Sequence, residues 1–346
     1  MNSLSASLIG LLLLAPPALA GDLQKGRIPA QARWLVHLDV EAMKSSKLYE
    51  VVHQASAENG SNEMDEGLAQ IRMFAGLDPT LDLRSVTLYS AAQSEEGCVA
   101  LLAGNAKVDQ ALDKLKTMAN YHTTPVQDYA LHTWGDDHET WYAYVHRREG
   151  SDERVVIASQ DSAELVRGIA VLEGDAESLA GSSRPPFRAT PASGSILYAA
   201  AGESLRELGD VHPVSAIAKL AKSIVVDLGE DHGALSVHVV LDTRTPEDAQ
   251  RVHQVLQGAV ALVGLVGGEN EEIRAKLQPL VDSLRLSVSN TRVEAHFRYD
   301  VAALIEEMKS LHELGDRIDE SDGDAKVEKR KQRHEHRRRN REEEDK

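Results

Sequence analysis

The sequence predicts an α+β fold of two similar subdomains, each an antiparallel sheet with helices packed on one face. Short segments of alternating apolar and polar residues are joined by tight turns, which is typical of antiparallel strands. Helical segments follow every second or third strand, whereas a doubly wound parallel sheet needs a helix after each one. The order of elements in residues 195–318 repeats that in residues 21–174, which indicates an internal duplication.

The first domain is predicted to span residues 21–174 and opens with a strand at 34–40, where apolar and polar side chains alternate. A helix follows from about Glu41, and a second helical stripe at 64–75 ends at Gly76 and Pro79. The remaining predicted elements are strands at 85–90 and 98–103, a helix at 108–119, a hairpin of 129–134 with 140–146, a strand at 155–158 and a helix from Asp161 to Leu172.

Residues 175–194 contain three prolines among small and polar residues, which predicts a linker before a second domain at 195–318. In that domain Thr245-Pro246 is a strong helix start, because the hydroxyl can cap and proline at the first helical position loses no hydrogen bond. The other predicted elements are strands at 195–200, 223–228 and 235–241, helices at 214–220 and 273–284, a hairpin of 286–289 with 293–299, and a helix from Asp300 to Leu311. Residues 258–267 are apolar on nearly every side, which predicts a buried helix.

The N-terminus is predicted to be a signal peptide of residues 1–20. A short apolar run at 8–15 precedes Ala18-Leu19-Ala20, and small residues at these positions form an export cleavage site. No uncharged apolar run in the sequence approaches the roughly 18 residues needed to cross a bilayer, so the mature chain is predicted to have no transmembrane segment. Because the chain has a single cysteine and thus no internal disulfide, a bacterial periplasmic or extracellular location is favoured.

Charge divides the chain into an acidic body and a basic tail. The formal net charge is −17, while residues 326–346 contain 10 basic and 6 acidic side chains. Such a body repels phosphate backbones, so no nucleic-acid partner is expected for it. Residues 319–346 hold blocks of like charge and predict a disordered tail, which either keeps the protein soluble or tethers it to an anionic polymer or surface.

Aromatic residues make up only 4% of the chain, and all three tryptophans lie in its first half. No aromatic-lined carbohydrate groove or base-stacking platform is therefore predicted. The sequence also lacks a glycine-rich phosphate loop, a Gly-x-Ser-x-Gly elbow, a His-Glu-x-x-His helix and paired cysteines. No cofactor is expected on these grounds.

The segment 132–138 (HTWGDDH) concentrates two imidazoles and two carboxylates in seven residues. His132, Asp136, Asp137 and His138 could supply nitrogen and oxygen ligands to Zn²⁺ or another divalent ion if the hairpin folds them together. Asp and Gly are equally common at turn tips because they tolerate the dihedral angles of turns. A metal-dependent hydrolase at this cluster is the alternative to a structural turn.

His37 and Asp39 are predicted to project from one face of the first strand, opposite Trp34 and Val36. An acid–base pair is conceivable there. A solvated sheet face is the favoured interpretation, and it gives these two side chains no chemical role.

Two stretches, Ile28–Asp39 (IPAQARWLVHLD) and Gly76–Tyr89 (GLDPTLDLRSVTLY), resemble a group of uncharacterised exported bacterial proteins. The resemblance implies an exported α+β architecture and no particular chemistry. The favoured function is an exported, non-catalytic binding or scaffold protein. The alternatives are the metal-dependent hydrolase and the surface tether through the basic tail.

Overall fold

The computed structural model describes residues 21–59, 72, 76–91, 97–135, 139–202, 217, 219–266, 271–311 and 314. It confirms the α+β class. The predicted signal peptide, most of the helical stripe at 64–75 and the charged tail lie outside the described residues.

All described strands join one antiparallel sheet of twelve strands, in the order β11-β12-β10-β9-β8-β1-β2-β3-β7-β6-β5-β4. Their bounds are β1 Trp34–Asp39, β2 Leu83–Ser90, β3 Cys98–Gly104, β4 His122–Val126, β5 Tyr129–Gly135, β6 Thr140–Arg147, β7 Arg154–Ser159, β8 Ser195–Ala201, β9 Ala221–Asp231, β10 Ala234–Thr243, β11 Leu284–Ser289 and β12 Arg292–Asp300. The sequence predicted eleven of these positions and missed β4.

The described helices are α1 Val40–Ser45, α2 Lys47–Asn59, α3 Pro79–Asp82, α4 Val108–Leu115, α5 Ser162–Glu173, α6 Pro246–Val266, α7 Glu271–Ser283 and α8 301–311. The predicted caps are confirmed by three amide hydrogen bonds. Asp161 accepts from Ala163, Thr245 accepts from Asp248, and Asp300 accepts from Ala303. Gly174 ends α5 in the left-handed conformation, with a φ of 89°.

Two hydrophobic cores lie on opposite faces of the sheet. We call the face that carries Leu35 the Leu35 face and the other the Val36 face. The first core is on the Leu35 face, where Leu35 lies opposite Tyr89 and Ala200 and packs with Ile169 of α5.

The second core is on the Val36 face. Ala201 is next to Ala200 on β8 and therefore points to the other side, where it lies opposite Ile224. From there the register continues to Leu241 and Val293, which pack against Val252 of α6. Strand β8 thus contributes neighbouring residues to both cores.

The predicted linker, residues 175–194, is packed onto the first core. Leu179 and Phe187 are buried there, and Arg184 donates to the carbonyl oxygens of Ala30 and Ala32. Strand β1 pairs with both β2 and β8, so the sheet is continuous across the predicted boundary. The two-domain division and the duplication stay predictions.

The prediction of a buried helix at 258–267 is wrong for the described part of that segment. Leu262 is 62% exposed and Val263 is 44% exposed. The sheet contacts α6 through Ala249, Val252 and Leu256, and the following apolar turns extend beyond those contacts. None of the described helices is both long and apolar enough to cross a membrane.

Candidate functional site

Two of the three tryptophans meet at the end of the β5–β6 hairpin. Trp134 and Trp141 are directly opposite each other in the register of these strands. Leu131 and Thr133 point into the first core, so the alternation along β5 sends Trp134 to the Val36 face. The centroids of the two indole rings are 6.5 Å apart and the ring planes are inclined by only 15°.

The indoles line an open crevice of about 400 Å³. Its other wall is the segment that follows α4, which supplies Met118 and Asn120, and Glu139 lies at the hairpin end. Met118 is 37% exposed, so apolar surface faces solvent on both sides of the crevice. An apolar crevice with few polar groups is the usual form of a small-molecule site.

Hydrogen bonds hold the two walls of the crevice together. The Asn120 side-chain amide donates to the Gly135 carbonyl oxygen at 2.9 Å, and the Tyr121 hydroxyl shares a hydrogen bond of 2.8 Å with His132 Nδ1. Gly135 has a φ of 137°. A Cβ there would lie 1.9 Å from the Glu139 carbonyl oxygen, so glycine is required.

Helix α4 is fixed over the Val36 face by an ion-pair network. Asp109 accepts from Arg147 at 2.7 Å and from Arg154 at 2.9 Å. These two guanidinium groups hold the pKa of the Asp109 carboxyl below its ordinary value, although partial burial opposes them. The network anchors the helix that precedes the Met118 wall of the crevice.

His132 is the one member of the predicted metal cluster that the structure describes, and it lies beside the crevice. Its pKa is lowered by burial, and the nearby positive charges of Lys116 and Arg147 lower it further. The imidazole is therefore neutral at neutral pH. Its Nδ1 is engaged by Tyr121, so in this arrangement it positions the wall of the crevice.

The other three members of the predicted metal cluster, Asp136, Asp137 and His138, lie outside the described residues. Within the part of the chain that the structure describes, no group of three or more His, Cys, Asp or Glu side chains is placed to hold a metal ion. The four-residue metal site stays a prediction.

The expectation of a solvated face around His37 and Asp39 is wrong. These side chains are 3% and 4% exposed, because the chain from Gly21 covers them. His37 Nε2 donates to the Gly21 carbonyl oxygen at 2.9 Å, so Nδ1 accepts from the Thr87 hydroxyl at 2.8 Å. Burial lowers the pKa of His37, which a hydrogen bond to Gly21 and the charge of Asp22 only partly offset.

A second groove of about 500 Å³ lies where β11 meets β12. It is lined by polar and charged groups, among them His296, Arg285 and Arg298. The Arg298 guanidinium binds Asp231 at 3.2 Å, and Asp300 caps α8. Local structure thus engages two of the charged groups in this groove.

The low aromatic content predicted that no aromatic-lined groove is present. The crevice lined by Trp134 and Trp141 corrects this prediction. The tryptophans at 134 and 141 are remote from Trp34 along the chain, and composition alone gives no reason to pair them. A signal was nevertheless present. The predicted hairpin of 129–134 with 140–146 places Trp134 at the inner end of one strand and Trp141 next to the inner end of the other, and the short loop makes these residues cross-strand neighbours.

The chain is thus an α+β protein with one long antiparallel sheet and an aromatic crevice near one edge. Among solved structures it is similar to crystal form III of TP0453, with 12% identity, a TM-score of 0.42, and coverage of 83% of this chain and 97% of that one. Crystal form IV of TP0453 matches with 11% identity, a TM-score of 0.43 and coverage of 83% and 98%. No protein-family model matches, and no curated protein matches.

Proposed function

We propose that this protein is an exported, non-catalytic binding protein that holds a saccharide in the indole crevice. The observation that carries the proposal is the near-parallel pair of Trp134 and Trp141 on one open surface. Pyranose rings present flat patches of C–H groups, which pack against the electron-rich faces of indoles. The predicted signal peptide supports the exported part of the proposal.

The geometry of the two rings selects the mode of binding. Two surfaces that sandwich a flat group must be about 7 Å apart, since each contact takes about 3.5 Å. The indole centroids are 6.5 Å apart, so a ligand lies across the pair and not between its members. Aromatic cages for ammonium ions instead enclose the cation with steeply inclined rings, whereas these planes differ by 15°.

Polar groups at the rim complement the indole surface. The Asn120 side-chain oxygen is an acceptor that sugar hydroxyls can reach from the crevice, and Glu139 lies at the same rim. The Asn120 nitrogen already donates to Gly135, which orients the amide. The indoles, the Met118 thioether and the Asn120 amide can recognise the shape of a sugar and the positions of its hydroxyl groups. These groups support a binding role for the crevice.

The test is a titration of the mature chain with cellotetraose and with chitotetraose, in which binding is measured by tryptophan fluorescence and by calorimetry. We expect saturable binding of at least one oligosaccharide, weakened about tenfold or more by Trp134→Ala or Trp141→Ala, because loss of about 1.4 kcal/mol of stacking is a tenfold change. Trp34→Ala is the matched control. Trp34 is also half-buried on the Val36 face, but it lies on β1, outside the crevice.

Two results would contradict the proposal. One is the absence of saturable binding with both oligosaccharides and with soluble peptidoglycan fragments. The other is binding that Trp34→Ala weakens as much as Trp134→Ala, since this would place the ligand elsewhere on the face or show a general loss of folding.

A further inference from the structure

The residue that follows the predicted cleavage site is buried against the Leu35 face of β1. Gly21 comes directly after Ala20, and its carbonyl oxygen accepts from His37 Nε2 at 2.9 Å. An ideal Cβ on Gly21 would lie 2.0 Å from Asp39 Oδ1, 2.5 Å from Cγ and 2.7 Å from Oδ2. Only glycine permits this approach without a shift of the carboxylate.

These distances also limit how far the Gly21 nitrogen can lie from Asp39. Because the nitrogen and Cβ of one residue are about 2.5 Å apart in standard geometry, the Gly21 nitrogen lies within about 4.5 Å of Asp39 Oδ1. An ion pair between an ammonium and a carboxylate needs about 4 Å or less. A free terminal nitrogen rotates with its residue and can close the remaining distance.

Asp39 needs a positive partner. It is 4% exposed, and Oδ1 accepts from the Ala42 amide at 2.8 Å as the N-cap of α1. Burial raises the pKa of this carboxyl, and the negative charge of Asp22 adds to the increase, while the amides of Ala42 and Glu41 oppose it. Among the described residues no basic side chain forms an ion pair with Asp39.

We infer that cleavage after Ala20 completes this site: the α-ammonium of Gly21 forms a buried ion pair with Asp39 and locks the mature N-terminus onto β1. In the cleavage, an export peptidase adds water across the Ala20–Gly21 peptide bond. Ala20 leaves with a carboxylate, and Gly21 keeps the nitrogen, which takes up a proton at neutral pH. Before cleavage the same nitrogen is a neutral amide with one hydrogen.

The consequence is that export and stability are coupled. A buried carboxylate without a counter-charge is costly, and an ammonium in contact with it removes much of that cost. The precursor therefore lacks one interaction of the first core. The mature chain gains it only when the signal peptide has been removed.

The test compares the mature chain, which begins at Gly21, with the same chain retaining Ala20. We expect the mature chain to have a thermal midpoint several degrees higher. Asp39→Asn should lower the midpoint of the mature chain, because it removes the ion pair. It should not lower the midpoint of the Ala20-retaining chain, because asparagine still caps α1 and replaces a charge that has no partner there. Asp22→Asn is the control for general local charge, and it should not reproduce this difference.

A second measurement does not depend on thermal stability. The mature chain is treated at pH 7 with a limiting amount of an amine-reactive acetylating reagent, and acetylation of its α-amine is measured by mass spectrometry. This acetylation should be at least fivefold slower than in Asp39→Asn. Equal midpoints of the mature and Ala20-retaining chains would overturn the inference. Equal acetylation rates in the mature chain and in Asp39→Asn would overturn it as well.

Discussion

The two halves of the sheet, strands β1–β7 and strands β8–β12, bury opposite faces. In the first half the Leu35 face is covered by residues 21–33 and α5, and Leu35 is 1% exposed. In the second half the same face is polar and half-exposed, while α6 covers the Val36 face through Val252. One transverse row shows the change along the sheet. It runs through Thr87, His37, Tyr198, Asp227, His238, His296 and Arg285.

The comparison shows that alternation along a strand defines which residues share a face but not which face is inside. His37 and His238 belong to the same row, and each is flanked by apolar neighbours along its strand. His37 is buried because residues 21–33 fold over it, whereas His238 has a half-exposed ring next to His296. The covering segment makes the difference, and it is remote in sequence.

The largest effect that distinguishes the two faces is expected in the first half. Leu35→Ala should lower the free energy of unfolding by about 2–5 kcal/mol, because the side chain is fully buried and leaves a cavity. Leu88 lies on the opposite face of neighbouring strand β2 and is 37% exposed, so Leu88→Ala should cost less than about 1 kcal/mol. Urea denaturation with equal m-values measures both. Similar losses would mean that both faces of this half are core.

An intermediate effect is expected on α6 in the second half. Val252→Ala should cost about 1.5–2.5 kcal/mol, since Val252 has no exposed surface and packs against the sheet. Val255, three residues further on, is 49% exposed, and Val255→Ala should change stability by less than about 0.5 kcal/mol. If chemical denaturation gives the reverse order, the helix presents another face to the sheet.

The smallest effect is the pH dependence of the buried histidine. Burial lowers the pKa of His37 in the folded state, so the unfolded chain takes up a proton below about pH 6.5 that the folded chain does not. The free energy of unfolding should therefore fall as the pH drops from about 6.5 towards the folded pKa. The difference between the free energies of unfolding at pH 7 and pH 5, measured by urea denaturation, should be smaller for His37→Gln than for the wild type.

The control for this pH prediction is His238→Gln, in the same row on the half-exposed side. His238→Gln removes an imidazole from the half-exposed part of the row and leaves the buried imidazole of His37 in place. If both variants reduce the difference equally, the dependence does not arise from burial of His37.

Local sequence was sufficient to predict most of the regular elements that the structure describes. The alternation of 34–40, the caps at Asp161, Thr245 and Asp300, and the hairpin 286–289 with 293–299 all appear close to their predicted positions. Each depends on hydrogen bonds and side-chain spacing within a few residues. Strand β4 was missed because Pro125 interrupts its short pattern and only the neighbouring β5 makes it a strand.

Tertiary structure alone decided what lies over each face and what the site contains. The first core requires Leu179 and Phe187 from the predicted linker, and the crevice requires Met118 beside Trp134. The sequence by itself determined periodicity, caps and turns, because these follow from short-range sterics and hydrogen bonding, while the export signal stays a prediction. Burial, by contrast, depends on contacts between segments far apart in sequence, so only the folded chain determines whether a given face is core or surface.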